Sequence, residues 1–244
     1  MTLTLEWARR IDNWRRELAR QCYRPLGTVC REGYTTLEQR TVEQARHGPF
    51  APMPPGTRWG AKWEYAWFRG RVTVPECGAG RRIALRANPG GESAIYVNGV
   101  SAGARDRQHH ELTLTREAIP GATYDVAIEA YAGHGPRVAH AGPIPPGRET
   151  VPEPPATQAV VGHTSFGIWH EEVYQLWIDV EALWGIRENI DANSLRVAEI
   201  DAGLRDFALI VDYEQPREAL LATVAPAYYT HLTLPTNREE EIQV

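Results

Sequence analysis

Apolar positions follow two different periods along this chain, and the changes of period mark its organisation. Trp7, Ile11, Trp14 and Leu18 recur at steps of four, three and four, which places them on one face of a helix. Arginines and acids fill the opposite face, so this stripe predicts packing against something else, either the sandwich or a missing domain. From Glu64 the period is two. Ala66, Phe68, Gly70, Val72 and Val74 alternate with Tyr65, Trp67, Arg69, Arg71 and Thr73, a strand that ends at Pro75. Arg82–Ala87 reads as a second strand, and Ala94–Val97 with the residues after Gly99 reads as a hairpin. Asn98-Gly99 accepts the positive φ angles of a type I′ turn. Leu112–Thr115, Tyr124–Tyr131 and a closing strand within Ala159–Trp169 complete the set. Short strands separated by turn signals predict an antiparallel β-sandwich.

Helical spacing returns at Val173, Leu176, Trp177, Val180, Leu183 and Trp184, and again at Val197, Ile200, Leu204, Phe207 and Val211. Between them Asp191-Ala-Asn-Ser194 offers a turn with a helix cap at Asn193 or Ser194, and Glu199 falls early in the second helix. Two antiparallel helices joined by a short loop are expected. Residues 22–62 look irregular, with Pro49, Pro52, Pro54, Pro55 and Gly56 forbidding regular helix in their second half. Residues 135–156 carry seven prolines and predict a long loop or protruding arm. The organisation expected is an N-terminal helix and extended arm over 1–62, the sandwich over 63–170, and a helix hairpin over 171–225. Residues 226–244 lose both periods. Their string Tyr229-Thr-His-Leu-Thr-Leu-Pro-Thr-Asn237 resembles translated library-adapter read-through, so this tail is expected to be non-native.

Composition narrows the function. A length of 244 residues suits one sizeable core with appended elements, or two small domains. The formal net charge of −5 argues against a phosphate-neutralising surface, so nucleic acid is not an expected partner. Arg9-Arg10, Arg15-Arg16 and Arg81-Arg82 read as solvated faces. The three cysteines, at 22, 30 and 77, are widely spaced and lack zinc-ligand spacing, which fits a reducing compartment. Charges at Glu6, Arg9 and Arg10 precede any long apolar run, so no signal peptide and no membrane span are read, and a cytoplasmic location is expected.

Candidate chemistry is sparse. Trp59, Trp63, Tyr65 and Trp67 offer ring faces of the kind that stack on the C–H face of a pyranose, although large rings on strands usually fill a core or an interface. Asp106-Arg-Gln-His109-His110-Glu111 holds metal-binding residue types, and His163 with His170-Glu171-Glu172 forms a looser group. Neither completes a set of three or four converging ligands, so no metal site is assigned. Glu92, beside Gly90-Gly91, and Asp106 are the best available pair of carboxylates for glycoside hydrolysis. The glycines more simply make a turn into the strand. No Gly-x-Ser-x-Gly elbow or phosphate-binding glycine loop occurs. Trp59, Trp63, Trp67, Glu92, Asp106 and His109 are therefore candidate carbohydrate contacts, and no residue is assigned as catalytic.

Trp63-Glu-Tyr-Ala-Trp-Phe-Arg69, Gly90-Gly-Glu-Ser-Ala-Ile-Tyr-Val-Asn-Gly99, Glu129-Ala-Tyr-Ala-Gly-His134 and Ser194-Leu-Arg-Val-Ala-Glu-Ile200 occur in an order that resembles the N-terminal region of bacterial and vacuolar-type α-mannosidases of glycoside hydrolase family 38. The resemblance runs over about residues 5–222. It implies an α+β, mainly β chain: a galactose-binding-like, jelly-roll sandwich preceding a catalytic domain with zinc and an Asp nucleophile in a retaining mechanism. That domain's opening zinc motif has His followed two positions later by Asp, and none of the eight histidines here is followed so. No cofactor is thus expected in this chain, with zinc left to a missing catalytic domain of the same polypeptide, its expected partner. Mannose-containing glycans are a second partner class that the resemblance implies. A free-standing carbohydrate-binding module is the first alternative. An accessory sandwich of another glycosidase, such as a β-galactosidase or β-glucuronidase, is the second; the helices after residue 171 argue against it.

Overall fold

The computed structural model describes residues 3–29, 32–135 and 157–210, with single positions 146 and 222. Cys30, most of the proline-rich stretch, Val211 and the adapter-like tail lie outside the described residues. The chain divides into two compact units, one built from 1–24 with 170–244 and the other from 25–169.

Among the described residues the first unit holds three helices, α1 (Leu5–Gln21), α3 (Glu171–Asn189) and α4 (Leu195–Ile210), while α2 (Val42–Ala45) falls in the other unit. Thr4 caps α1, its hydroxyl accepting from the Trp7 N–H. Ser194 caps α4, its Oγ accepting from the Val197 N–H at 3.3 Å, as one of the two expected caps. The stripes read from the sequence face each other. Ile11, Trp14 and Leu18 of α1 are buried with Val173, Leu176 and Val180 of α3 and Val197, Ile200, Leu204 and Phe207 of α4. Trp14 meets Phe207 edge-on with ring centroids 4.2 Å apart. Here the structure corrects an expectation: the α1 stripe is covered by α3 and α4 of its own unit.

Polar contacts tie the same helices. Arg15 donates from Nε and Nη2 to both oxygens of Glu181 at 2.7 Å and lies over the Trp184 ring. Arg187 stacks on Trp184 as well and donates to Asp201 Oδ1 at 2.6 Å. Asp201 is wholly buried, and its other oxygen accepts from the Leu3 N–H at 3.0 Å.

The second unit is the antiparallel sandwich that the period of two predicts. In chain order its elements are β1 (Tyr23–Thr28, which crosses the unit boundary), β2 (Glu32–Thr36), α2 (Val42–Ala45), β3 (Ala51–Pro52), β4 (Arg58–Trp59) and β5 (Tyr65–Thr73). Then come β6 (Ile83–Arg86), β7 (Glu92–Val97), β8 (Val100–Arg105), β9 (Glu111–Thr115), β10 (Thr123–Tyr131), β11 (Ala159–Val160) and β12 (Ser165–Trp169). A six-stranded sheet runs β3-β2-β5-β10-β7-β8 and a four-stranded one β1-β12-β6-β9, with β11-β4 a separate pair. Ala66, Phe68 and Val72 of β5, Ile95 of β7 and Val126, Ile128 and Ala130 of β10 point inward. They share one core with Ile83, Leu85, Phe166 and Ile168 of the smaller sheet. The β7–β8 turn has Asn98 at φ 51° and Gly99 at φ 82°, as the type I′ reading requires.

Residues 22–62 depart from the expected irregular arm. They contribute β1 to β4 and α2, whose Thr41 and Gln44 form a reciprocal capping box. Pro25 and Pro52 hid β1 and β3 from sequence reading. Both strands are sheet edges, where a missing N–H costs no ladder bond. The closing strand expected within Ala159–Trp169 is split into β11 and β12, which belong to different sheets.

Candidate functional site

The six sequence candidates separate sharply. Trp59 is 3% exposed; its Nε1 donates to the Pro89 carbonyl at 2.8 Å and its ring abuts Phe68. Trp67 is 1% exposed on the outer side of the six-stranded sheet, under a satellite cluster of Tyr34, Ala45, Val42, Phe50 and Tyr96. Neither indole presents a face to a ligand, so both are corrected to packing residues. The physical reason is local: α2 and the chain after it lie over Trp67, and β11 pairs directly with Trp59.

Trp63 behaves differently. It stands just before β5, is 48% exposed, and holds φ at 64°, a left-handed conformation that bulky residues rarely adopt. Its N–H donates to the Gly133 carbonyl at 2.8 Å, which ties the turn to the end of β10. The ring stacks on Tyr131 at 6.4 Å and meets His134 edge-on at 5.8 Å, while Tyr131 stacks in turn on Tyr65 at 4.7 Å. Burial raises the Tyr131 phenol above its ordinary pKa.

Tyr131 and His134 also line a pocket of about 720 Å³ at this end of the sandwich. Its walls come from four places: Gly90 to Glu92 entering β7, Arg105 and Arg107 at the end of β8, Tyr131 to Gly135 after β10, and Gln158 with Ala159 at β11. Glu92 lies opposite Tyr131 in the β7–β10 register, so the fold brings Trp63 and Glu92 to the same end of the sheet. Gly90 takes φ +98°, and a Cβ there would meet the Val160 carbonyl oxygen at 2.5 Å, so only glycine lets β11 approach this wall. Arg105 donates from Nη1 to the Gly91 carbonyl at 3.0 Å. Its Nε, Gln158 Nε2 and the Oγ of Ser93, the register partner of Arg105, are buried with no hydrogen-bond partner among the described residues. Sequence reading missed Arg105, Gln158 and Tyr131. Their convergence depends on hairpin register and on the return of β11, for which the sequence carries no local signal.

Asp106 and His109 pair with each other on the exposed β8–β9 loop. Asp106 Oδ1 accepts from the Gln108 and His109 N–H groups at 2.7 Å and contacts His109 Nδ1 at 3.0 Å. These donors hold the Asp106 carboxyl well below the usual carboxylate range. Its lone pairs serve the loop, and Asp106 is not among the residues lining the pocket that holds Glu92. Among the described residues, no group of three or more His, Cys, Asp or Glu side chains is placed to hold a metal ion. A second cavity, of about 900 Å³, lies over β2, β5 and β10; there Arg69 pairs with Glu32 and Arg71 with Asp125. No described helix is long and apolar enough to cross a membrane.

The model of the jelly roll domain of Ams1-like α-mannosidases matches residues 28–151. The α-mannosidase 2C1 of Mus musculus is 22% identical over 191 residues, covering 78% of this chain and 18% of that protein. The α-mannosidase 2C1 of Homo sapiens is 20% identical over 185 residues, covering 75% and 17%. The chain thus spans less than a fifth of the length of these curated relatives. Among solved structures, the crystal structure of Ruminococcus gnavus beta-glucuronidase aligns at 11% identity and a TM-score of 0.39 over 60% of this chain and 29% of that one. A likeness that low carries no weight for fold or function.

Proposed function

The chain belongs to the Ams1-like α-mannosidase jelly roll domain family, and from that premise we propose that it is the accessory N-terminal region of a retaining, zinc-dependent α-mannosidase of glycoside hydrolase family 38. The family match over 28–151 is the observation that carries this reading. The described residues offer no ligand set that fits zinc. In this proposal metal binding and glycosidic cleavage belong to a catalytic domain of the same polypeptide, and no chemical step is routed through the described residues. The proposed role is structural: the sandwich and the three helices brace that domain.

Residual apolar surface supports the bracing role. Although α1, α3 and α4 cover one another's stripes, Ile178, Ile186 and Ile190 on and after α3 remain exposed, as do Leu195 and Leu209 on α4. A helix apolar on more than one side is normally enclosed on more than one side. Extending the gene 3′ of the Ala225 codon should reveal a zinc-binding hydrolase domain. The 244-residue chain alone should leave aryl α-mannosides intact with zinc supplied. Zinc-dependent turnover by the purified chain would overturn the assignment.

A second reading, a free-standing carbohydrate-binding module, is favoured by the half-exposed indole of Trp63 beside a pocket lined by Glu92, Arg105 and Gln158. The two readings diverge over whether the native gene encodes a hydrolase domain beyond residue 225.

A further inference from the structure

We propose that the pocket lined by Glu92, Arg105, Tyr131 and Gln158 is a binding site for a neutral pyranose, with the Trp63 indole, packed on the lining residues Tyr131 and His134, as the stacking platform at its edge. The choice of a mannoside as the first probe rests on the proposed function; the site itself rests on its own geometry.

Three independent features converge. The first is an aromatic platform that the fold holds at a cost: Trp63 keeps a left-handed backbone with half its ring in water, anchored by the Gly133 carbonyl and backed by Tyr131. Strained, exposed aromatic residues are uncommon unless the surroundings impose them, and such strain gathers at ligand-binding positions. The second is a surplus of donors. Arg105 and Gln158 line the wall, and Arg105 Nε and Gln158 Nε2 are buried without acceptors among the described residues, a cost that turning either side chain toward a ligand oxygen relieves. The third is an acceptor: Glu92 lines the same wall and is exposed, so its carboxylate is available to sugar hydroxyls. Hydroxyl oxygens accept from Arg105 and Gln158 and hydroxyl protons go to Glu92, while the apolar C–H face of the ring rests on Trp63. A simple anion uses Arg105 and Arg107 but meets Glu92 as a like charge and leaves the indole bare. The volume of about 720 Å³ falls within the range of small-molecule sites.

Titration calorimetry on the full 244-residue chain tests this with methyl α-D-mannopyranoside, methyl β-D-galactopyranoside, glucuronate and inorganic phosphate. A ligand of about 13 non-hydrogen atoms is expected to bind on the order of millimolar. Trp63→Ala should weaken binding at least about tenfold, and Arg105→Lys and Gln158→Ala should weaken it while leaving the melting temperature near wild type. Mannoside binding with these losses supports the site. Galactoside binding with the same losses, and no mannoside binding, supports the site and counts against the mannosidase reading. Binding of glucuronate or phosphate alone, sugar binding unchanged by all three substitutions, or no binding at tens of millimolar overturns the site.

Discussion

Replacing Trp63 by glycine and by alanine isolates the strain at the edge of the pocket. With φ at 64° the residue sits where an L-amino acid loses roughly 1–2 kcal/mol relative to right-handed backbone. Either replacement removes the indole. With about half of a ~250 Å² side chain buried, the loss is up to roughly 3 kcal/mol at ~25 cal/mol per Å². The two variants share that loss and differ in the backbone term. Alanine keeps the left-handed cost. Glycine escapes it and forfeits only about 0.5–1 kcal/mol of chain entropy. Glycine should therefore be the more stable variant by about 0.5–1 kcal/mol, the reverse of the usual order within strands and helices. Native-state hydrogen exchange of the slowest β5 and β10 amides reads the stability of the sandwich unit separately from the helices. If the alanine variant protects those amides as well as the glycine variant or better, the left-handed strain is not real and the platform argument loses its first support.

Asp201→Ala should cost the helical unit about 3 kcal/mol, because it strands the Arg187 guanidinium and the Leu3 N–H in one step. The paired replacement Asp201→Leu with Arg187→Met should recover most of that loss in thermal melts followed by helical ellipticity, and a single variant melting like wild type would contradict the account. On the outer sheet face, burial raises the Glu129 carboxyl above the ordinary carboxylate range despite the hydrogen bond donated by Tyr96. Between its unfolded and folded pKa the native state binds the extra proton, so stability falls as pH rises through that window, and the penalty is full above it. Glu129→Gln should remove this pH dependence and raise stability at neutral pH; urea titrations from the normal carboxylate pKa upward that show parallel curves for both proteins would refute it.

Patterned segments were legible without coordinates. The alternation through β5, the Asn98-Gly99 turn and the α1, α3 and α4 stripes each follow from local geometry, since side-chain direction repeats at 2 or 3.6 residues whatever surrounds the element. Strands β1 and β2 were illegible. Pro25 and Gly33 break the local signal, and only pairing across the sheets makes those residues extended. The site was half legible. Aromatic residues near 63 and an acid at 92 stood out as residue types, but Trp59, Trp63 and Trp67 look alike in a sequence. Burial alone tells them apart, and it is set by which neighbours cover each ring.

Local periods and turn chemistry by themselves determined that this protein is a mainly antiparallel sandwich with amphipathic helices, and the succession of its motifs pointed to an α-mannosidase jelly roll. Tertiary structure decided that α1 is covered by helices some 170 residues later in the chain, and that one tryptophan of three keeps an open face. It also decided that Arg105 and Gln158 meet Glu92 around a single pocket. The reason lies in range: periodicity is written by neighbours a few residues apart, whereas burial and convergence are settled by contacts between segments distant in sequence.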